Sequence, residues 1–418
     1  MRLHYLLLFL LLIISCTTPP VESSNPGDNS FRESVLQLSH AGLMKNIPSG
    51  KIDSLITVYK KDSLNGIKEL LVASGDLLKI NVALNGRTLD EVYKKICDTI
   101  GMKFPELKSD EVQTSILPDL RTGEDTGWVV VKVRFGQTWY ERKLYYFRDW
   151  QIDDFIYRIY NRKMADDGKN TRLHLVEYNC TNCQKKQDDF MGNTDVTRYG
   201  YLMLNKAQED SLVNIPLLEM ENENEFNIYT TAEMNEQLKK FEASGLNKVP
   251  GEQWYTKVKE DIMQSSIYQQ EDIYDFFDTL FSYTDFDTSN PYNPYEDILF
   301  SLSDISRGKF IPSHVTDDET APGKRDVRFT YEEDVYEFEA EQRGAYLFPG
   351  IIDNVNKALA DHKAGGAFYT ILTKENICRL IYLKDEEVEK VKASGFFPQL
   401  ENGPSKELKD RWSSSMVL

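Results

Sequence analysis

One ordered set of blocks occurs twice along the chain, and a repeat of this kind constrains the fold more than any composition does. Val133-Arg134-Phe135 recurs as Val327-Arg328-Phe329. FIYRIYNRKMAD (Phe155 to Asp166) matches GIIDNVNKALAD (Gly350 to Asp361), with Asn161/Asn356, Ala165/Ala360 and Asp166/Asp361 identical. Upstream, Asp90 to Phe104 matches Glu296 to Phe310 through Asp98/Asp304 and Lys103-Phe104/Lys309-Phe310. Ahead of these, AGLMKNIP (Ala41 to Pro48) resembles SGLNKVP (Ser244 to Pro250). The blocks keep their order while the spacing between copies drifts, as small loop insertions would produce. A tandem duplication is expected, and two unrelated domains side by side are the alternative.

Each half carries the same coarse pattern. Helical stretches come first, and Thr88-Leu89-Asp90-Glu91 has the spacing of a capping box. A strand pair follows: VVVKVRF with WYERKLYYF in one half, DVRFTYE with VYEFEAE in the other. A helix ends before Gly168 or near Lys363, and a second strand pair closes the unit: TRLHLVEY with RYGYLML, AFYTIL with NICRLIYL. The last helix stops at Gly395, a position that suits a left-handed residue, and Gly245 ends an earlier helix in the same way. The expected fold is α+β: two tandem homologous units, each with N-terminal helices and then ββαββα, the strands forming an antiparallel sheet with helices packed on it. The boundary falls in the acidic, turn-rich MENENEFNIY (Met220 to Tyr229), which gives units at residues 31–225 and 226–418.

The N-terminus supplies an address. Arg2 precedes the unbroken apolar run Leu6 to Ile14, which as a helix spans roughly 14 Å, about half of a bilayer core. It is too short for a transmembrane helix and has the form of a signal peptide, residues 1–15. The run ends in Ile13-Ile14-Ser15-Cys16, which resembles the lipobox of bacterial lipoproteins. The resemblance implies cleavage before Cys16, a diacylated sulfur and an acylated new amine. Thr17, not Asp, follows the Cys, and by the same resemblance this implies the outer membrane. Residues 16–30 are rich in Pro, Ser, Thr and Asn, without an aromatic residue, and read as a tether with a reach on the order of 45–50 Å.

Composition then narrows the partners. The net charge is −18, which opposes binding to phosphate backbones, so nucleic acid is not expected. Of the cysteines, Cys180 and Cys183 form a CxxC in a loop that the second half lacks. A redox site would want that motif at a helix N-terminus, and zinc would need two further ligands. In an exported chain the plain reading is a local disulfide. Cys97, in a helix, and Cys378, in an apolar strand, read as buried thiols.

Asp285 to Glu296 has the spacing of a calcium loop, but Asn290 precedes a proline where glycine is needed. The stretch reads better as a helix start, with Asn293 as N-cap, Pro294 at the first position and Glu296 at the third. Glu337, Glu339 and Glu341 alternate along one strand face and read as solvated. Phe276, Phe277 and Phe281 recur at helical spacing and read as core, whereas Tyr283, Tyr292 and Tyr295 make the expected exposed surface for a protein or glycan. No G-x-S-x-G, H-E-x-x-H, G-x-G-x-x-G or P-loop occurs, so no catalytic residue, metal or cofactor is assigned. The expected function is a membrane-anchored binding or interaction module of the envelope. An inhibitor or immunity-type lipoprotein and an envelope enzyme with an unrecognised site are the alternatives.

Overall fold

A computed structural model describes residues 28–59, 66–80, 88–118, 126–147, 151–152, 156–177, 199–212, 215, 218, 220, 225–277, 279–286, 293–343, 346–374 and 377–415. Cys16, Cys180, Cys183 and Tyr292 lie outside the described residues. The chain divides into two compact units, Met1–Ile228 and Tyr229–Leu418. Among the described residues there are thirteen α-helices and four antiparallel sheets, so the fold is mixed α+β. No helix among them is long and apolar enough to cross a membrane.

The first unit begins with helices α1 (Asp28–His40), α2 (Ser49–Tyr59) and α3 (Gly66–Ser74) and strand β1 (Leu77–Lys79). Next come α4 (Leu89–Lys103), strands β2 (Glu111–Pro118), β3 (Thr126–Phe135), β4 (Thr138–Phe147) and β5 (Gln151–Ile152), and α5 (Tyr157–Asp166). Strands β6 (Thr171–Glu177) and β7 (Tyr199–Asn205) and helix α6 (Lys206–Leu212) complete it. The strand orders are β2-β3-β4-β5 and β1-β7-β6.

Side-chain alternation explains the layers. Leu173, Leu175 and Tyr201 pack on α4 and α5, with Val129, Val131 and Val133 of β3 on the far side of those helices. Val176, Leu202 and Leu204 pack on α1–α3 from the opposite face of the same sheet. A sheet covered on both faces reads as a continuous apolar run, which is why β7 is YGYLMLN. In β3 only alternate residues face the core, and Lys132 and Arg134 pair outward with Glu141 and Glu111.

The second unit has α7 (Thr231–Ser244), α8 (Glu252–Met263), α9 (Gln270–Tyr274), β8 (Phe281–Asp285) and α10 (Pro294–Ile305). Strands β9 (Ser313–Ala321), β10 (Lys324–Tyr331) and β11 (Asp334–Glu341) follow, then α11 (Ile351–Asp361). Last come β12 (Gly366–Lys374), β13 (Ile377–Lys384), α12 (Asp385–Ser394), β14 (Glu401–Asn402) and α13 (Lys406–Ser414). Its strand orders are β11-β10-β9 and β14-β12-β13-β8. Here too one sheet is covered twice: α10 and α11 fill the space between β10 and one face of β12–β13, and α7, α8 and α12 cover the other.

Several local expectations hold. The Thr88 capping box forms in both directions, with Glu91 N–H donating to Thr88 Oγ1 at 3.3 Å and Thr88 N–H to Glu91 Oε2 at 2.9 Å. Gly245 and Gly395 end α7 and α12 at φ 82° and 63°. The serine before each glycine donates its hydroxyl back to the carbonyl of Phe241 or Val391, closing the last turn. Cys97 and Cys378 are buried thiols, and burial pushes Cys97 up to about 12. Glu337 and Glu339 are exposed, whereas Glu341 is half-buried and pairs with Arg343 at 3.0 Å. Helix α10 starts at Pro294 after Asn293, but Asn293 holds only the Glu296 side chain; the Tyr295 N–H is capped by Asp317 across from β9, at 2.9 Å.

Other details differ from the sequence reading. The strands of each unit form two sheets rather than one, because the two expected hairpins pack on opposite sides of the core helices, and β1, β2, β5, β8, β9 and β14 add to the expected strands. Strand β9, SHVTDDETA, is mostly exposed and has no apolar alternation, so only its backbone pairing with β10 makes it a strand. The Val-Arg-Phe blocks stand two residues out of step. The turn follows Phe135 directly in β3–β4 but follows Tyr331 in β10–β11. A shift of two residues keeps the same face inward, and Val131, Val133 and Phe135 are buried like Val327, Phe329 and Tyr331. Helix α9 stops before Phe276, yet Phe277 and Phe281 are buried, with Phe277 stacked on Phe241 at 4.2 Å between ring centroids.

One contact ties helix to sheet in both units. Asn161 on α5 accepts from Leu173 N–H at 2.7 Å and donates to Leu173 O at 2.9 Å. Asn356 on α11 does the same with Phe368 N–H and O, at 2.7 and 2.9 Å. A primary amide offers a donor and an acceptor side by side, so it meets the N–H and C=O of one strand residue as a neighbouring strand would. A second pair of contacts repeats: Tyr140 reaches Asp166, and Tyr336 donates to Asp361 at 3.3 Å. Asn161→Ala is expected to cost about 3 kcal/mol, since the Leu173 N–H and C=O lose their buried partner; Asn356→Ala is expected to cost about 1–2 kcal/mol, since the Phe368 carbonyl still accepts from Gly403 N–H at 3.0 Å. Hydrogen exchange at Leu173 and Phe368 checks this; unchanged protection of either amide in its own variant would refute the clamp.

Candidate functional site

Helix α5, YRIYNRKMAD, carries more polar groups into the interior than a core helix normally does. Tyr157, Arg158, Asn161 and Arg162 are all buried. Ile159, Tyr160 and Met164 supply the apolar contacts, and Asn161 clamps β6. Tyr157 and Arg158 meet Glu225, which opens the short 3-10 turn Glu225–Asn227 at the end of the first unit.

The Glu225 side chain is 1% exposed. Oε1 accepts from Tyr157 Oη at 2.9 Å and from Arg158 Nε at 3.1 Å, and Oε2 accepts from Asn161 Nδ2 at 2.8 Å. A buried carboxylate is costly unless it is both paired and hydrogen-bonded. Three donors on two oxygens, one of them a guanidinium, meet that requirement.

Phe226 points a ring at the next group of charges. Arg172 lies 5.4 Å from its centroid and Lys206 lies 5.7 Å from it. The His174 ring is 5.9 Å away. Arg172 Nη1 donates to the carbonyls of Lys169 and Thr171, and Lys206 pairs with Glu209 at 2.5 Å and Asp210 at 3.1 Å. His174 is 1% exposed. Burial first, then Lys206 and Arg172, push its imidazole down to about 4, so it is neutral near pH 7. The 3.9 Å separation of Nδ1 from Glu209 Oε1 is therefore neither an ion pair nor a hydrogen bond. Nε2 is buried with no partner among the described residues.

The second unit has the same clamp without these charges. Three residues before Asn356 stands Asp353, where Arg158 precedes Asn161. On either side of the clamped Phe368 stand Ala367 and Tyr369, where Arg172 and His174 flank Leu173. The second bond of the Asn356 amide goes to Asn402 Oδ1 at 3.1 Å, in the role Glu225 plays for Asn161. The buried charged group thus belongs to the first unit alone, on a frame both units have. Compared with known protein families, with curated proteins and with solved structures, the chain matches none. The site is read from its own geometry.

Among the described residues no group of three or more His, Cys, Asp or Glu is placed to hold a metal ion. The buried ionisable groups are engaged with one another or held neutral, an arrangement suited to fixing the Glu225–Asn227 turn on α5 and β6. Of the residues singled out from sequence, Tyr283 and Tyr295 are described. Tyr283 lies in β8 opposite Arg379. Tyr295 is not a surface residue: it is 1% exposed in α10, its hydroxyl accepts from Phe348 N–H at 2.7 Å, and helix spacing turns it toward the core formed with β10. The charged group was missed because its members lie in four separate segments. Its signal is the contrast between aligned blocks, in which Arg158, Arg172 and His174 oppose Asp353, Ala367 and Tyr369.

Proposed function

We propose that this chain is a lipid-anchored protein of the bacterial envelope, at the outer membrane, that acts by binding a partner. Its scaffold, in this reading, is two tandem copies of one α+β unit. The observation that carries the anchor is Ile13-Ile14-Ser15-Cys16 behind an apolar run too short to span a bilayer. Acyl chains on Cys16 then hold the chain, each buried methylene contributing about 0.8 kcal/mol. The duplication is supported by the shared strand order, β1-β7-β6 beside β8-β13-β12 and β2-β3-β4 beside β9-β10-β11. It is supported further by the identical asparagine clamps on Leu173 and Phe368.

A binding role is supported by how the buried charges are used. Both Glu225 oxygens are occupied, and Cys97 stays a thiol, so these groups hold structure rather than move protons. The net charge of −18 favours a protein or glycan over nucleic acid and speeds encounter with a basic partner. Cross-linking in intact cells, with the wild type beside Cys16→Ala, tests the reading. A stoichiometric partner captured by the anchored chain alone is the expected result. Absence of such a partner, together with turnover of a generic hydrolase substrate by the purified chain, would overturn it in favour of an enzyme.

A further inference from the structure

Strand β9, SHVTDDETA, ends its sheet in the order β11-β10-β9. On its inner side Thr316 to Glu319 pair in unbroken register with Arg328 to Arg325 of β10. Among the described residues no other backbone group reaches β9, and none of its N–H groups donates to a side chain. Its residues are exposed except Val315 and Asp317, so the outer edge lies open to solvent.

The matching edge of the first unit is closed. There β2 ends the order β2-β3-β4-β5, and the Thr114 N–H and hydroxyl both donate to Asp90 Oδ1, at 2.9 and 2.7 Å. In the second unit Glu296 stands where the matching block has Asp90, but its Oε2 accepts from Asn293 Nδ2 at 2.8 Å. Asp317 of β9 itself is taken by Tyr295 N–H at 2.9 Å and by Arg325 Nη1 at 3.0 Å. Neither carboxylate is turned to the β9 backbone.

An open edge offers N–H and C=O groups to an incoming strand, and the side chains along it select that strand. Asp318 and Glu319 are exposed, and neither is in an ion pair among the described residues. Asp318 faces Asp326 in register, and Asp326 faces Glu339; like charges set directly opposite are destabilising. In the matching row of the first unit stand Ser115, Val130 and Lys143. Charge of one sign guards the edge against its own copy, because a second β9 would lay acid against acid. It favours a strand that brings Lys or Arg to the same positions.

We infer that the outer edge of β9 docks an extended, basic segment of a protein partner, which adds as a fourth strand to the three-stranded sheet. The inference rests on the reading of the chain as a binding protein, and it names the place and the partner's chemistry.

A blocked peptide of alternating Thr and Lys, titrated into the full chain, tests it. The control is the same peptide with every backbone nitrogen methylated, which keeps the charge and cannot pair as a strand. The amides of β9 are expected to gain protection from hydrogen exchange, and the plain peptide to bind about 10-fold more tightly than the methylated one. Asp318→Lys with Glu319→Lys, both at exposed positions, is expected to weaken the plain peptide about 10-fold. Equal binding of the two peptides, unchanged protection of β9, or equal binding to the double variant would overturn the docking edge. In cells the double variant should also lose the cross-linked partner. A partner still captured by it would overturn the edge and leave the binding role standing, so the two failures are told apart.

Discussion

Glu225→Ala is expected to destabilise the first unit by about 3–5 kcal/mol, the cost of removing one partner from a buried, hydrogen-bonded ion pair. Three donors from α5 lose their acceptor at once, and Arg158, itself buried, loses the carboxylate 3.1 Å from its Nε. For a unit of this size that corresponds to a fall of roughly 10 °C in melting temperature. Glu225→Gln should recover part of the loss, because an amide oxygen still accepts but carries no charge to oppose the guanidinium. Asn402→Ala is the matched control, since Asn402 meets the Asn356 amide at an exposed edge, and its cost should stay within about 1 kcal/mol. Calorimetry of the full chain reads all three. A Glu225→Ala variant that melts with the wild type would mean that the buried network is not what secures the turn.

How much of this could be read in the chain follows from how local each feature is. The Thr88 capping box, the stops at Gly245 and Gly395, and the helix ends at Asp166 and Asp361 rest on residues within one turn of one another, and all are present. The core strands β3, β6, β7, β12 and β13 announce themselves through apolar runs or alternation. Strand β9 does not, because its place is set by backbone pairing with β10 and its side chains are acidic and exposed. Tyr295 looked like a surface residue because its neighbours are Pro, Asn and Asp; it is the first turn of α10, aimed inward, that buries it. Glu225 lies 64 residues from Asn161, and no local pattern joins them. The comparison of the two halves could have found the group, since a buried Arg, Arg and His stand where the matching blocks of the other half have Asp, Ala and Tyr.

Cys16→Ala is expected to abolish membrane association of the mature chain or to leave the precursor uncleaved. The alanine has no sulfur to accept a diacylglyceryl group, and the full chain, its apolar N-terminal run included, has a mean hydropathy of −0.48. One acyl chain gives only marginal, reversible binding, but two or more give stable anchoring, so losing all of them removes the anchor outright. Fractionation after a high-salt wash separates the outcomes: wild type in the membrane pellet, the variant in the supernatant or retained as full-length precursor. A mature Cys16→Ala chain that stays in the pellet would point to a different attachment.

The most direct measurement is mass spectrometry of the N-terminal peptide of the wild-type protein taken from its native membrane. A mature chain that begins at Cys16, with a thioether-linked diacylglyceryl group and an amide-linked fatty acid, is the predicted result. A chain that begins elsewhere, or one in which Cys16 carries an unmodified thiol, would contradict the account.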